Sequence, residues 1–301
     1  MSPTESPTAE PGAITARETP FRAVLFAARS SGGPLASPTV VLWLAAFVLL
    51  VFLSVPLVSL IWMTGERPGS ISSRTLDTLR SAGQLTIVTS LISLAAIIAF
   101  GTPLGYLLAR RRVPAASLIE TLIDLPMVLP PAVAGIALLM AFGRRGIVGQ
   151  YLDRSLGLTL AFTPVAVIVA QTFVAAPFYV RAARAGFAYV AHDLEQVAAT
   201  LGASPFRVFR SVTLPIAWPS LAAGAVLAWA RAVGEFGATI MFAGNLPGRT
   251  QTMSLAIYGR YEAGDLTTAL VLATALLFGS LIALLGVRAL GSMRDGPPSI
   301  R

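Results

Sequence analysis

Two pairs of charged residues stand four apart inside otherwise apolar stretches of the chain: Arg231 with Glu235, and Glu120 with Asp124. On a helix that spacing puts each pair on one face. Arg231 is a candidate for holding an anion, with Glu235 softening its charge or relaying a proton. Glu120 and Asp124 are a carboxylate pair of the kind that acid–base chemistry uses. Beyond these the inventory is short. All 22 basic residues are arginine. Without lysine there is no phosphate-binding P-loop and no Schiff base. Without cysteine there is no thiolate nucleophile, disulfide or Cys-ligated metal, and the single histidine, His192, cannot form a cluster. Counting alone excludes most familiar catalytic constellations, and no metal site is expected.

The elements that carry these residues belong to a membrane. Hydrophobic types make up 55% of the 301 residues, only 12% are charged, and the mean hydropathy is +0.75. That excludes an ordinary soluble enzyme and a disordered chain. A spanning helix needs about 20 mostly apolar residues. Six such stretches are predicted: Thr39–Met63, Ala82–Ala109, Leu118–Phe142, Gly157–Val180, Pro215–Ala243 and Leu266–Val287. The fold class expected is therefore all-α and polytopic. The first stretch starts too late and is too long for a cleaved signal peptide. Residues 1–38, rich in Pro, Ser, Thr, Ala and Gly, read as a disordered tail, and 293–301 as a second short tail.

The net charge of +8 reflects topology rather than a nucleic-acid partner, because the arginines fall between the apolar runs. Six spans put both termini on one side. That side would carry thirteen arginines, among them Arg110, Arg111, Arg112, Arg181 and Arg184, against eight opposite. The positive-inside bias makes it the cytoplasmic side.

The third stretch contains Pro126, Pro130, Pro131 and Gly135. Prolines remove backbone hydrogen bonds and kink a helix, and membranes tolerate that where the helix lines a cavity or packs on protein. Pro130, Pro131, Gly135, Arg231 and Glu235 are thus the candidates for a translocation path. The alternative is structural: a bent packing helix, and an ion pair bracing the helices. Glu120 and Asp124 are expected near the cytoplasmic interface.

The segment 181–214 is neither Gly/Ser-rich nor highly charged. Asp193 and Gln196 resemble an N-cap with its box partner, and Leu194, Val197, Ala198 and Leu201 follow at helical spacing. Gly202 suits a C-terminal stop. Ser204-Pro205 starts a second helix, whose Phe206, Val208, Phe209 and Val212 are apolar and whose Arg207 and Arg210 are basic; Leu214-Pro215 should end it. Two occupants fit such a surface, a partner protein or the lipid headgroups. His192 reads as a surface residue.

Here the residues resemble a known signature. Gln196-Val197-Ala198, three residues, Gly202, nine residues, then Val212-Thr213-Leu214-Pro215 is similar to the E-A-A, G, I-x-L-P loop of ABC-importer permease subunits. Gln196 occupies the Glu position, Val197 the first Ala, and Glu195 sits one residue early. The resemblance implies a type I permease bundle. Its loop, here Glu195, Gln196, Val197, Ala198, Gly202, Ala203, Ser204, Pro205, Phe206, Arg207, Val212, Leu214 and Pro215, would dock into a cytoplasmic ATPase. The run 230–239, Met241-Phe242-Ala243-Gly244-Asn245, Pro247-Gly248-Arg249-Thr250-Gln251-Thr252, Leu255-Ala256-Ile257-Tyr258 and Gln171–Tyr179 resemble the molybdate and sulfate permeases, nearer the molybdate branch.

The resemblance implies a homodimer of permeases, two ATP-binding subunits that hold ATP and Mg, and an extracytoplasmic molybdate-binding protein, in a prokaryotic inner membrane. This chain would carry no cofactor and catalyse no covalent step. It would move molybdate or tungstate, with a sulfate/thiosulfate importer as the alternative cargo. A proton-coupled secondary transporter with Glu235 as relay is the rival class; the internal repeats common in such folds are not found.

Overall fold

The structure, a computed structural model, describes residues 38–66, 72–111 and 113–292. The tails expected at 1–38 and 293–301 lie outside the described residues except for Pro38, as does Arg112. The chain divides into two units, Met1–Val58 and Ser59–Arg301.

The described elements are helical. Helix α1 (Pro38–Gly65) carries the first span and no charge. Helix α2 (Ser73–Ala109) starts nine residues before the expected Ala82, because Ser72 accepts a hydrogen bond from the Thr75 N–H and caps a turn made of polar residues. Its 37 residues extend about 55 Å, well beyond a hydrocarbon core of about 30 Å. Polarity at the ends therefore does not mark where the helix stops.

The third span departs most from expectation. It is two helices, α3 (Ala116–Val128) and α4 (Pro131–Phe142), bent by 117° at Leu129–Pro130. Pro130 caps α4 and Pro131 is its first residue, a place where a missing N–H leaves nothing unsatisfied. Together with the five helices long enough to cross a membrane, the bent pair brings the span count among the described residues to six if it is one span.

After the short α5 (Gly149–Leu156) comes α6 (Pro164–Tyr189), which replaces the expected Gly157–Val180. Thr163 caps it and Pro164 opens it. It runs nine residues past Val180, so Arg181 and Arg184 belong to a helix and not to the loop. Next are α7 (His192–Thr200) and α8 (Pro205–Val208). Leu214-Pro215 does not end the second loop helix. A π-helical turn, Phe209–Thr213, joins α8 to α9 (Leu214–Val233), and Leu214 N–H donates to Phe209 O five residues back. The widened turn absorbs Pro215, which has no N–H to give. The expected fifth span, Pro215–Ala243, therefore begins earlier, breaks at Gly234–Phe236 and resumes as α10 (Gly237–Ala243). Helices α11 (Met253–Glu262) and α12 (Leu266–Ser292) complete the order.

In the second unit α6 is central, with α2 and α9 packed along it. The shared core includes Ile97, Ala175, Tyr179, Ala183, Phe187, Ala217, Leu221, Ala228 and Ala232. In lipid no hydrophobic force draws helices together, so small side chains that allow close approach do so instead. A second core, with Ala134, Leu138, Val167, Ala170, Val174, Ala238 and Phe242, joins α4 and α10 to α6.

The α4–α10 contact is the tightest test of this packing. A Cβ on Gly135 would lie 2.6 Å from the Met241 Cβ and 2.7 Å from the Ala238 carbonyl oxygen. Gly135→Val should destabilise the purified protein by about 1–3 kcal/mol through overpacking. Gly279→Ala, with nothing within 4 Å, should not lower the midpoint of thermal unfolding. Equal midpoints for the two variants would contradict the packing.

Candidate functional site

Three groups of candidate residues are placed by these elements. The first is the loop between α6 and α9. Helix α7 is capped by Ala191 without a side-chain bond, so Asp193 lies inside its first turn and is not the cap. There Asp193 and Glu195 suit the positive end of the helix dipole. Gly202 stops the helix as expected. Its φ is +85°, Gly202 N–H donates to Ala199 O and Ala203 N–H to Ala198 O, the double bond pattern of a Schellman stop. Of the apolar residues of this loop, Leu194, Val197, Leu201 and Phe206 are exposed, as is Gln196, and Leu201 keeps 83% of its surface, whereas Val208 is buried and Phe209 packs into the core, so the second loop helix presents less apolar surface than expected.

Glu195 does the opposite. It is the one buried residue of α7. Its carboxylate accepts hydrogen bonds from Arg110 Nη2 and from Thr213 Oγ1, the latter at 2.6 Å, and His192 Nδ1 lies 3.4 Å from its other oxygen. Burial by itself would raise the carboxyl pKa. The hydrogen bonds from Thr213 and Arg110, and the Arg110 charge, outweigh burial and hold it below the usual range. Arg110 also donates to Val190 O at 3.2 Å and stacks 5.8 Å above the Tyr106 ring.

The second group is the two broken spans. Pro131 and Gly135 on α4 meet Gly237, Ala238 and Met241 on α10, so four of the five path candidates lie at or beside one junction: Pro130, Pro131 and Gly135 on one side, Glu235 on the other. Glu235 sits in the break with 1% exposure. One oxygen accepts from the Ala238 N–H at 2.7 Å, which caps α10. The other is 2.7 Å from Arg231 Nη1, whose side chain keeps 29% of its surface. The i,i+4 pairing read from the sequence is present, although the helix ends between its members.

The third group is Glu120 and Asp124. Both pair with α6: Arg181 grips Asp124 through two hydrogen bonds of 2.6 Å, and Arg184 lies 3.0 Å from Glu120. These four line a cavity of about 910 Å³ with Arg111 and the end of α2. Each pair is partly exposed, so it is worth about 0–1 kcal/mol.

Several participants carry no sequence signal. Arg110 reads only as the first charge after an apolar run, and Thr213 as the variable position in the loop signature. Deep in the second unit, Ser93 Oγ donates to Gln171 Oε1 at 3.1 Å and Trp229 Nε1 donates to Ser90 Oγ at 3.1 Å. Gln171 Nε2 is buried without a partner.

The family model for the inner membrane component of binding-protein-dependent transport systems matches residues 101–292, which include all three groups. The chain belongs to this family. It is 40% identical over 247 residues to the molybdenum transport system permease protein ModB of Mycobacterium tuberculosis, a match covering 82% of this chain and 92% of that protein. The probable transport system permease protein NifC of Clostridium pasteurianum is 40% identical over 254 residues, 83% of this chain and 85% of that one. A probable sulfate transport system permease protein of Chlorokybus atmophyticus is 34% identical over 234 residues, 78% of each. Two solved importers share the fold. The inward-facing MetNI methionine ABC transporter has a TM-score of 0.57 at 20% identity, covering 73% of this chain and 97% of that chain. An ABC transporter that imports the acidic polysaccharide alginate has 0.58 at 19%, covering 91% and 96%. The all-α, multi-pass bundle of an ABC-importer permease is thus the architecture of this family member.

The asymmetry of burial between Arg231 and Glu235 sets the cost of breaking them apart. Arg231→Met strands a carboxylate that has almost no exposure, and should destabilise the protein by about 3 kcal/mol. Glu235→Gln keeps an acceptor for the Ala238 N–H and strands the more exposed Arg231, so its loss should be smaller. Thermal unfolding of the two purified variants reads the order; the reverse order would contradict the cap.

Proposed function

We propose that this chain is the permease subunit of an ATP-driven importer that moves molybdate, with tungstate as a cargo of nearly the same size and charge. The observation that carries the cargo is the 40% identity to a molybdenum permease along 92% of that protein's length. The runs 241–245, 247–252 and 171–179 support the same branch.

In this reading the chain works as a homodimer, with two ATP-binding subunits on the cytoplasmic side and a molybdate-binding protein outside. Both termini and α7 are cytoplasmic, as the arginine distribution favours. The exposed Leu194, Val197, Leu201 and Phe206, with Arg207 beside them, form the surface that enters the ATPase. ATP and Mg are held by that partner. This chain makes and breaks no covalent bond, and its own residues bind, guide and release the anion.

The path runs past the junction of the broken spans. Pro130, Pro131 and Gly135 give α4 its direction, and Arg231 supplies positive charge to a divalent oxyanion. Neutralisation by Glu235 keeps that charge from trapping the cargo, because conduction needs weak binding. Transport then follows from a difference in binding between two states. ATP closes the ATPase pair, α7 moves with it, and the spans tilt to open outward.

Uptake of labelled molybdate by cells lacking and regaining the gene tests this. Gene-dependent uptake should be blocked by excess tungstate and not by excess sulfate. Blocking by sulfate would move the cargo to sulfate, and uptake independent of the gene would remove the oxyanion reading. Gly202→Val forces a β-branched residue to φ +85° and should lower uptake at least about tenfold while the protein still inserts. Unimpaired uptake would remove the docking role of the loop.

A further inference from the structure

The docking surface and the membrane helices must be joined by something stiff if movement of one is to drive the other. Helix α7 offers few means of attachment. Its apolar side chains face outward, and its only buried residue is Glu195. All of its strong attachment to the rest of the chain therefore converges on one carboxylate.

The partners of that carboxylate come from different spans. Arg110 is the residue that ends α2, and the same guanidinium donates to Val190 O, the residue that ends α6. Thr213 closes the π-helical turn that opens α9. Beneath them the rings of Tyr106 of α2, Phe187 of α6 and Phe209 of the π turn cluster with centroids 5.4–6.0 Å apart, Tyr106 edge-to-face with both phenylalanines. Arg110 Nε is buried with no partner, so Glu195 and the Val190 carbonyl account for the guanidinium's hydrogen bonds. Directional bonds to a charged group fix position more sharply than apolar contact, which permits sliding. Pulling Glu195 out of this setting would leave the Arg110 charge without its counter-ion, held by the Val190 carbonyl alone, and the buried Thr213 hydroxyl unpaired. A shift of α7 is thus passed on to α2 and α9 in preference to being absorbed at the joint. The π turn, the one irregular stretch between α8 and α9, sits where the bend must occur.

We propose that Glu195, clamped between Arg110 and Thr213, is the positioning residue that transmits movement of α7 to spans α2 and α9. The inference deepens the importer reading and rests on it for the ATPase that moves α7. It also gives the displaced acid of the loop signature a role: Gln196, in the signature's Glu position, is exposed on the docking side, while Glu195 serves the interior joint.

The test uses the full complex of this chain with its ATPase subunits and binding protein in proteoliposomes. Molybdate uptake and ATP hydrolysis are measured on the same vesicles. The chain has no cysteine, so Leu227→Cys on α9 places one thiol in each copy of it; with partner subunits freed of cysteine, its labelling rate, with and without a non-hydrolysable ATP analogue, reports movement of that span. With Glu195→Gln the ATPase subunits should still co-purify and hydrolyse ATP, uptake per ATP should fall about tenfold, and the nucleotide effect on labelling should disappear. Thr213→Val, which keeps the packing and loses one bond, should give a smaller fall in the same ratio and decides the matter if Glu195→Gln fails to assemble. Exchanging the charges, Arg110→Glu with Glu195→Arg, should recover part of the loss. Uptake per ATP and labelling that match the parent protein, or that fall only in proportion to the amount assembled, would overturn the proposal. A parent complex that responds to nucleotide but carries no molybdate would overturn the cargo alone, because the labelling readout needs only nucleotide.

Discussion

In hydrocarbon, every backbone N–H and C=O must find a partner within the protein, and each one left bare costs several kcal/mol. The helical backbone is nevertheless interrupted at Leu129–Pro130, within the bent pair, and again at Gly234–Phe236, where α9, long enough to cross by itself, gives way to α10. The breaks are tolerable because each covers the other. Pro131 opens α4 without an N–H to satisfy, Glu235 reaches forward to cap α10, and the two short helices press together where Gly135 and Gly237 leave room. The Arg231–Glu235 pair fits the same constraint. A carboxylate with 1% exposure has to be matched, and here it is matched by a cation and by a helix end together.

Magnitudes separate this molecule's ionic contacts into two kinds. Asp124–Arg181 and Glu120–Arg184 have good geometry but face solvent, so they orient α3 on α6 more than they hold it. Arg110–Glu195 and Arg231–Glu235 are largely withdrawn from solvent, and losing one member strands the other. The two strong pairs lie at the two places where regular helix gives out, the joint beneath α7 and the junction of the broken spans. Irregular backbone, buried charge and functional assignment coincide there.

Much of this was legible in the sequence, and for physical reasons. Long uncharged runs need hydrocarbon, so the spans could be counted. Gly202 and Pro205 could be placed as helix stop and helix start, because each has few other conformational uses. The i,i+4 spacing of Arg231 and Glu235 brought them together as read. What the sequence could not show was set by partners far along the chain. Proline marks a kink without its angle, and the 117° at Leu129–Pro130 depends on α10. The extension of α2 is held by α11 and α12, where Arg260 donates to Thr78 and Thr75 meets Thr268, and that of α6 by the far end of α2 and by α9, against which Ala183 and Phe187 pack. Leu214-Pro215 reads as a stop because the π turn that rescues it has no signature. The inward turn of Glu195 depends on Arg110, 85 residues away.

The central claim is that the two breaks form one packed junction. In this cysteine-free chain, Gly135→Cys with Met241→Cys tests it in native membranes under mild oxidation. A Cβ at residue 135 would lie 2.6 Å from the Met241 Cβ and 2.7 Å from the Ala238 carbonyl oxygen, closer than the about 3.8 Å a disulfide spans, so α4 and α10 must part by about an ångström, a cost that closing the disulfide offsets. Rapid, nearly complete cross-linking within one chain is the result expected. Two free thiols after prolonged oxidation, in protein that inserts and assembles normally, would contradict the junction and with it the path drawn past Arg231 and Glu235.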